Sequence, residues 1–347
     1  MTPQLSVLDQ SPVGEGFTHA DALRSSVDLA QAAEEWGFVR YWVAEHHGSP
    51  GFASTAPEIM AAVLLTRTTR LTVGTGGVLL PLYPPAKVAE VFGVLASLYP
   101  GRVDLGLGRA GGPAEDYPDR VRVLRRMLRA DEPGLAGAPA VPPRMWLLGG
   151  GLTSARLAGE LRTGFAFAHF LNPGAAATAL SIFRREPGGA GKPVEQGESG
   201  GDVDSRSVLA VRVVAAPTEA EAEALAQSVL LWRSRKDLGR DLPLPTPDTA
   251  RNHRWTTLEA ERAAVRGGSL IWGSPEQVHG RLVRIAAEHG VGEIMVNTLT
   301  CDPADRFRSY RLLAEQTAAP TPPLSEVPSE ASSEAPPEAA ASTYLPP

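Results

Sequence analysis

The stretch Leu71-Thr-Val-Gly-Thr-Gly-Gly-Val-Leu-Leu-Pro81 begins as a β-branched strand and changes character at Gly74. Three of the four residues from Gly74 to Gly77 are glycine, which makes continued regular strand pairing unfavourable. Glycine at a strand end marks a bulge, an unusual peptide or the close approach of a ligand, because it has no Cβ. A simple strand-to-helix turn is the alternative interpretation, and the neighbouring segments decide between them.

Short apolar strands alternate with helical segments on both sides of this stretch. Helix start signals include Thr18 with Asp21, Pro57 and Pro85, and Gly37 marks a helix end. Eight strands without hairpin signals predict an α/β fold of the (β/α)8 TIM barrel type, in which functional residues follow the strands. A doubly wound open sheet is the alternative, but no dinucleotide fingerprint follows the first strand. The predicted strands are Leu5–Leu8, Tyr41–Ala44, Leu71–Val73, Val103–Gly106, Met145–Leu148, Phe165–Ala168, Val208–Val214 and Glu293–Asn297.

Composition narrows the class of protein. The 347 residues are 43% hydrophobic with a formal net charge of -6, enough for one large core and unlike a nucleic-acid-binding protein. The single cysteine, Cys301, excludes an internal disulfide, and no ligand cluster predicts a metal site. Residues Met1–Gln10 do not resemble a signal peptide and no apolar run is long enough for a bilayer, so we expect a cytoplasmic protein with no membrane partner.

Composition along the chain predicts one domain, a tail and two long surface segments within the domain. We expect one barrel domain over residues 1–317 and a disordered tail rich in Pro, Ala, Ser and Glu over residues 318–347. Pro187–Arg206 is predicted to be a surface loop. Trp232 to Gly268 contains Pro243, Pro245 and Pro247, and we interpret it as a lid over about residues 233–268, with a spacer as the alternative.

Two adjacent histidines follow the second predicted strand. In Glu45-His46-His47 only one imidazole can point over the barrel axis, because side chains alternate along a strand. Such a group accepts or returns a proton near neutral pH. Hydrogen bonding of both histidines to loop backbone is the alternative without a catalytic role.

A fixed positive charge and bare backbone follow the fourth and fifth strands. Arg109 stands among glycines, and Gly149-Gly150-Gly151 precedes Thr153 at the start of a helix. Guanidinium and free backbone N–H groups at a helix start bind phosphate, so the two loops together predict an anion site. A salt bridge from Arg109 to a nearby loop, and a plain turn capped by Thr153 or Ser154, are the alternatives.

These motifs together resemble those of a known family. Glu45-His46-His47, Val73–Pro81 followed by Pro84-Pro85, and Pro100–Arg109 resemble the bacterial-luciferase-like flavin-dependent monooxygenases, and the similarity covers most of Leu5–Ala314. Within the family the chain is most similar to single-chain actinobacterial members. The resemblance implies a monooxygenase that uses reduced FMN and O2, through a flavin hydroperoxide, to oxygenate an apolar organic substrate.

The resemblance also implies roles for individual residues. Gly76-Gly77 would form a non-prolyl cis peptide under the flavin ring, and His46 would be the catalytic base. Arg109 and the Gly111 backbone would bind the phosphate, together with Gly149, Gly150, Gly151 and Thr153.

The chain departs from the family pattern at three points. Gly150 or Gly151 replaces a frequent serine, a second phosphate arginine at Arg120 or Arg122 is in doubt, and Gly108 replaces the reactive cysteine of light-emitting relatives. The general barrel rule would instead place phosphate near Ser274, which we interpret as a helix cap.

Several partners and alternatives follow from the resemblance. Family members are supplied with reduced flavin by a separate reductase and commonly form homodimers. F420-dependent hydride transfer on the same fold is the alternative reaction, and a non-catalytic flavin-binding protein is a third possibility. Trp42, Phe52, Phe170 and Trp255 are candidates to line an apolar substrate cavity.

Overall fold

The computed structural model describes residues 2–110, 115–129, 139–186 and 206–317. The proposed tail over 318–347, almost all of the predicted loop Pro187–Arg206, and Gly111 lie outside these described residues. The division into a barrel domain over 1–317 and a tail therefore stays a prediction. In the described part of the chain, no helix is long and apolar enough to cross a membrane.

Eight parallel strands close into a barrel, as predicted. The strands are β1 Gln4–Asp9, β2 Arg40–Val43, β3 Thr72–Thr75, β4 Val78–Leu79, β5 Val103–Gly108, β6 Arg144–Gly149, β7 Gly164–Ala168, β8 Ser207–Ala215, β9 Leu270–Gly273 and β10 Glu293–Asn297. Around the barrel they pair in the order β10, β1, β2, β3, β5, β6, β7, β8, and β8 pairs back onto β10 to close the ring. Two short strands were not predicted: β4, which pairs with β5, and β9, which pairs with β8.

Helices follow the strands, and local sequence signals set where they begin. Thr18 and Ser274 form capping boxes with Asp21 and Gln277, and Pro57 and Pro85 occupy first-turn positions. The helices are α1 His19–Glu35, α2 Pro57–Arg67, α3 Pro85–Leu98, α4 Tyr117–Leu128, α5 Leu152–Glu160, α6 Ala176–Arg185, α7 Glu219–Asp237, α8 Pro247–Asn252, α9 Thr257–Gly267, α10 Pro275–His289 and α11 Pro303–Thr317.

Alternation along each strand separates two apolar regions. In β8, Leu209, Val211 and Val213 belong to the large core between the sheet and the surrounding helices. Val208 and Ala210 belong to a second cluster inside the barrel, which also contains Leu8, Trp42, Trp146 and Met295. Every second residue of a barrel strand therefore faces the lumen, which is filled with side chains.

The amino end of the lumen is polar. Arg40 of β2 forms ion pairs with Asp104 of β5 and Glu293 of β10, and Asp104 also accepts a hydrogen bond from the indole of Trp42 at 3.0 Å. Arg144 of β6 contacts Asp104 at 3.1 Å. Charged side chains thus join strands from opposite sides of the barrel, below the apolar layer.

The segment predicted as a proline-broken lid is largely helical. Residues 233–268 contain the end of α7, all of α8 and all of α9, and they lie between β8 and β9. Thr246 and Thr256 cap α8 and α9, the prolines at 243 and 245 lie between α7 and α8, and Pro247 occupies the first position of α8. The assignment of residues 233–268 as a lid stays a prediction.

Candidate functional site

The segment after β2 separates the two adjacent histidines. His46 is partly buried and lies beside Gln10, whose amide nitrogen is 2.7 Å from His46 Nε2. His47 is exposed and its Nε2 contacts the Glu45 carboxylate at 2.6 Å. His46 is therefore the histidine that faces the interior, as predicted for one member of the pair.

Hydrogen bonding determines which His46 nitrogen carries the proton. The guanidinium of Arg212 can only donate, so the Gln10 oxygen that contacts it at 3.4 Å accepts, and the amide N–H groups face His46. His46 Nε2 is then the acceptor and Nδ1 holds the proton in the neutral ring. The His46 ring also stacks on Phe52, with ring centroids 4.3 Å apart.

The electrostatic surroundings keep the His46 ring neutral. Burial, together with the positive charges of Lys236 and Arg212, lowers the pKa of His46 to about 4. Lys236 lies over the Phe52 ring at 5.0 Å from its centroid. At neutral pH His46 is thus an uncharged hydrogen-bonding group at the end of β2.

Glu45 connects the histidine segment to the glycine-rich stretch. Its buried carboxylate accepts hydrogen bonds from the Leu79 backbone at 2.8 Å and from the Tyr83 hydroxyl at 2.6 Å. Because Leu79 lies in β4 just after Gly76-Gly77, this carboxylate holds the ends of β2 and β3 in a fixed relation.

The glycine-rich stretch contains an unusual peptide where one was predicted. The peptide bond between Gly76 and Gly77 is cis. A Cβ on Gly76 would lie 2.5 Å from Leu8 Cδ1, and one on Gly77 would lie 2.6 Å from the Gly106 carbonyl oxygen. The backbone of β5 therefore leaves no room for a side chain at Gly77, whereas at Gly76 the Leu8 side chain would have to shift.

The predicted anion site is formed by the ends of β5 and β6. These strands pair in register from Asp104 with Arg144 to Leu107 with Leu147, so Arg109 and Gly149 emerge side by side. The Arg109 side chain is exposed, and it makes no hydrogen bond or ion pair with any residue that the structure describes.

Helix α5 begins at the same place. Its N-cap residue, Gly151, provides no side-chain cap, whereas Ser274 caps the start of α10 as predicted. The first-turn N–H groups of α5, including that of exposed Thr153, are therefore available to an anion. Gly150 and Gly149 line the approach, and a Cβ on Gly149 would meet Ser154 Oγ at 2.5 Å.

Arg120 and Arg122, the two candidates for a second phosphate-binding arginine, pair with carboxylates of α4 and of the residue before it. Arg120 bonds the Asp116 carboxylate at 2.7 Å, and Arg122 bonds Asp119 at 2.9 Å. Both guanidinium groups already have a carboxylate partner, in agreement with the departure from the family pattern at these positions.

The four candidate aromatic residues lie in different surroundings. Phe52 packs on His46, and Phe170 lies under the Arg212 guanidinium, whose central carbon is 4.8 Å from the ring centroid. Trp42 is completely buried in the lumen, so it belongs to the core. Trp255 packs edge-on to His253 and lines a surface groove along α7.

Three polar residues at the same rim were missed. Gln10 follows β1, Asn297 ends β10, and Arg212 lies inside β8, where its Nε donates to Asn297 Oδ1 at 3.1 Å. A sequence signal existed for each of them. Gln10 and Asn297 stand at strand ends, and Arg212 interrupts the apolar run Val208–Val214.

Comparison with known proteins agrees with this arrangement. Residues 4–293 match the family described as luciferase-like monooxygenase. The uncharacterized protein YwcH of Bacillus subtilis is 39% identical, covering 90% of this chain and 99% of its own. The N-acetyl-S-alkylcysteine monooxygenase of the same organism is 32% identical, covering 91% and 98%. The crystal structure of apo-MsnO8 superimposes with a TM-score of 0.78 at 36% identity, covering 90% and 98%.

More distant structures share the fold alone. They include the oxygenating constituent of 3,6-diketocamphane monooxygenase from Pseudomonas putida in complex with FMN, with a TM-score of 0.65 at 20% identity, covering 90% and 97%. An F420-dependent secondary alcohol dehydrogenase has a TM-score of 0.66 at 16% identity, covering 90% and 98%. The extent of the family match and the identities above 30% lead to one conclusion: this chain belongs to the luciferase-like monooxygenase family and is an oxidoreductase of the monooxygenase type.

Proposed function

We propose that the protein is a flavin-dependent monooxygenase that uses reduced FMN and O2 to oxygenate an apolar organic substrate. The observation that carries the proposal is one rim of the barrel on which the Gly76-Gly77 backbone and neutral His46 stand together with Arg109, which has no ion-pair partner among the described residues. All three follow the carboxyl ends of parallel strands, where barrel enzymes place their chemistry.

The residues at this rim fit an FMN molecule. The flavin ring would rest on the bare backbone at Gly76-Gly77, where close packing already excludes side chains. The phosphate would be held by Arg109 and by the backbone of Gly149, Gly150 and Gly151 with Thr153 at the uncapped start of α5. The phosphate contact of the Gly111 backbone stays a prediction. Reduced FMN, when bound, would supply the electrons that activate O2.

His46 would act on the reacting oxygen as a neutral group. Its proton is on Nδ1, so the ring donates a hydrogen bond from that atom, and Gln10 fixes this orientation through Nε2. His46 takes up a proton at Nε2 only when the bond from Gln10 opens. Phe52 and α7 shield the ring from water on one side, which strengthens both interactions.

Hydride transfer with the deazaflavin F420 is the second candidate. The same guanidinium and helix start would bind the phosphate of either cofactor, and an F420-dependent enzyme shares the fold. We favour FMN because the 32% identical relative is a monooxygenase by name, whereas the F420-dependent neighbour is 16% identical.

Titration with FMN, reduced FMN and reduced F420, followed by O2 addition, tests the proposal. We expect reduced FMN to bind, to consume O2 and to be reoxidised. Tight binding of reduced F420 with no affinity for reduced FMN would favour the second candidate instead. Binding without O2 or hydride chemistry would indicate a non-catalytic flavin-binding protein.

Two variants separate binding from chemistry. Arg109→Ala should weaken FMN binding about 10-fold or more, because it removes a charge-assisted phosphate contact. His46→Ala should bind FMN like the wild type and lose turnover. Arg311→Ala, at an exposed position on α11, is the control. Unchanged FMN affinity in Arg109→Ala would show that the phosphate lies elsewhere.

The wider setting of the reaction follows from the family resemblance. We infer a cytoplasmic homodimer that receives reduced flavin from a separate reductase. Support for a separate reductase is the lack of a dinucleotide fingerprint in the sequence. Sedimentation of the purified protein tests the dimer, and activity with a supplied flavin reductase and NADH tests the two-component system.

A further inference from the structure

Arg212 occupies an unusual place for a charged side chain. It continues the lumen-facing series of Val208 and Ala210 along β8 and lies above the apolar layer that fills the barrel. Its exposure is only 8%. The side chain therefore enters the same rim as His46, which follows β2, with β10 and β1 between the two strands.

Within the described ranges, the direct contacts of Arg212 are with neutral groups. Nε donates to Asn297 Oδ1 at 3.1 Å, Nη2 reaches Gln10 Oε1 at 3.4 Å, and the guanidinium covers the Phe170 ring. In the described part of the chain no carboxylate forms an ion pair with Arg212, and Nη1 has no hydrogen-bond partner. A buried guanidinium without a counter-ion is costly, so a ligand that supplies the missing negative charge would bind favourably.

The other buried arginines show what is missing. Among the described residues three arginines are buried, namely Arg40, Arg212 and Arg306. Arg40 pairs with Asp104 and Glu293, and Arg306 pairs with Asp9 at 2.8 Å. Arg212 differs from both because its position faces the open end of the barrel.

Neighbouring charges do not compensate for Arg212. Arg233 and Arg266 both pair with Asp237, at 2.8 and 2.6 Å, and Lys236 pairs with Asp241 at 2.6 Å. These four cations, Arg212 included, have only two carboxylates among them, which leaves an excess of two positive charges. Burial and the guanidinium groups of Arg233 and Arg266 lower the pKa of Arg212 to about 9, so it stays charged at neutral pH.

We propose that Arg212 binds a carboxylate group of the organic substrate, whose apolar part lies against the partly exposed Phe170. This inference rests on the proposed monooxygenase function and narrows its substrate class to acids with an apolar body. Asn297 and Gln10 hold the guanidinium in place, so that Nη1 and Nη2 can present the paired donors that suit a carboxylate.

The flavin phosphate is not the natural partner of this charge. Arg109 and the start of α5 stand at the ends of β5 and β6, whereas Arg212 belongs to β8 with β7 in between. The phosphate site therefore has its own cation and its own free N–H groups, and Arg212 is left for the second ligand.

The test compares acids with neutral molecules of the same shape. Benzoate, phenylacetate, 3-phenylpropanoate and octanoate are titrated against their primary amides by calorimetry, with wild-type protein and Arg212→Gln, Arg212→Lys and Arg311→Gln variants. We expect at least one acid to bind about 10-fold or more tightly than its amide to wild type and Arg311→Gln. Arg212→Gln should abolish this preference, and Arg212→Lys should restore part of it.

Separate measurements keep the two proposals apart. The same proteins are titrated with FMN, and Arg212→Gln should bind FMN within about 2-fold of wild type, since a charge-assisted contact is worth 10-fold or more. A loss of FMN affinity in Arg212→Gln would overturn the inference and assign Arg212 to the cofactor. No acid preference in any pair, or a preference that survives in Arg212→Gln, would also overturn it. If wild type does not bind FMN at all, the acid preference in the flavin-free protein still decides the role of Arg212.

Discussion

At the scale of single residues, the protonation state of His46 links the site to solution pH. Burial of the ring, and then the positive charges of Lys236 and Arg212, outweigh the opposing charge of Asp241, so a second proton is unfavourable. His47, one residue further on, is exposed and pairs with Glu45. Two adjacent histidines thus lie in different surroundings, and the partly buried one, His46, is held neutral.

We expect His46 to remain neutral well below the pH at which an ordinary histidine titrates. Its pKa of about 4 in the folded protein lies below the value of about 6.5 in an unfolded chain. Between these values the unfolded state binds more protons, so this residue makes stability fall as the pH is lowered from about 6.5 to about 4. Titration of 13C-labelled histidine by NMR measures the pKa directly, with His46→Gln used for assignment.

A matched stability measurement checks the same prediction. The difference in unfolding free energy between wild type and His46→Gln should change across pH 4 to 6.5 and be constant above it. A His46 signal that titrates near pH 6.5 would show that neither burial nor the positive neighbours act on the ring.

The sequence predicted part of the His46 environment and missed Arg212. Alternation along β2 showed that one histidine must face inward, but the choice depended on contacts with Gln10 and Phe52, which are distant in sequence. Arg212 was missed because a charged residue in a strand ordinarily points to solvent. That side of β8 faces the lumen because β8 pairs with β10 and closes the barrel.

At the scale of elements, local chemistry determined most of the chain. Capping residues such as Thr18 and Ser274 and first-turn prolines placed the helix starts, because they act within three or four residues. The lid interpretation of residues 233–268 stays a prediction, and α8 and α9 inside this segment were not predicted because three prolines interrupt the helical pattern. β4 and β9 were missed because they extend only over two and four residues and depend on β5 and β8 for pairing.

The approach of β3 to β5 gives an element-scale prediction. A Cβ on Gly106 would overlap the Thr75 carbonyl oxygen, whereas a Cβ on Gly108 would meet only the flexible end of Leu79 at 3.1 Å. We expect Gly106→Ala to destabilise the protein by more than about 3 kcal/mol, because backbone cannot move aside. Gly108→Ala, two residues along the same strand, should cost less than about 1 kcal/mol. Urea unfolding of both variants measures the difference, and equal stabilities would contradict the close approach of these strands.

At the scale of the whole molecule, the two ends of the barrel are built for different tasks. The carboxyl end presents bare backbone, a neutral imidazole and positive charges with too few counter-ions. The amino end balances its charges, because Asp104 and Glu293 lie around Arg40, and Ser6 donates to Glu293 as well. Five strands, β1, β2, β5, β6 and β10, meet in this network. Stability and function are thereby assigned to opposite rims, as is usual for this fold.

Asp104→Asn should therefore reduce stability without changing the site. The carboxylate is completely buried and accepts from Arg40, from Trp42 Nε1 and from Arg144, so the amide would leave a buried guanidinium without one of its counter-ions. Loss of one partner from a buried ion pair costs about 3 to 5 kcal/mol, a large part of the stability of a single domain. Asp119→Asn, at an exposed pair with Arg122, should change stability by less than about 0.5 kcal/mol. Urea unfolding followed by Trp fluorescence and circular dichroism gives both values, and FMN titration below the transition should give wild-type affinity for both variants.

Two outcomes would contradict this expectation. Equal stabilities of the two variants would mean that the apolar layer alone closes the barrel. A selective loss of FMN affinity in Asp104→Asn would mean that the two rims are coupled through the lumen.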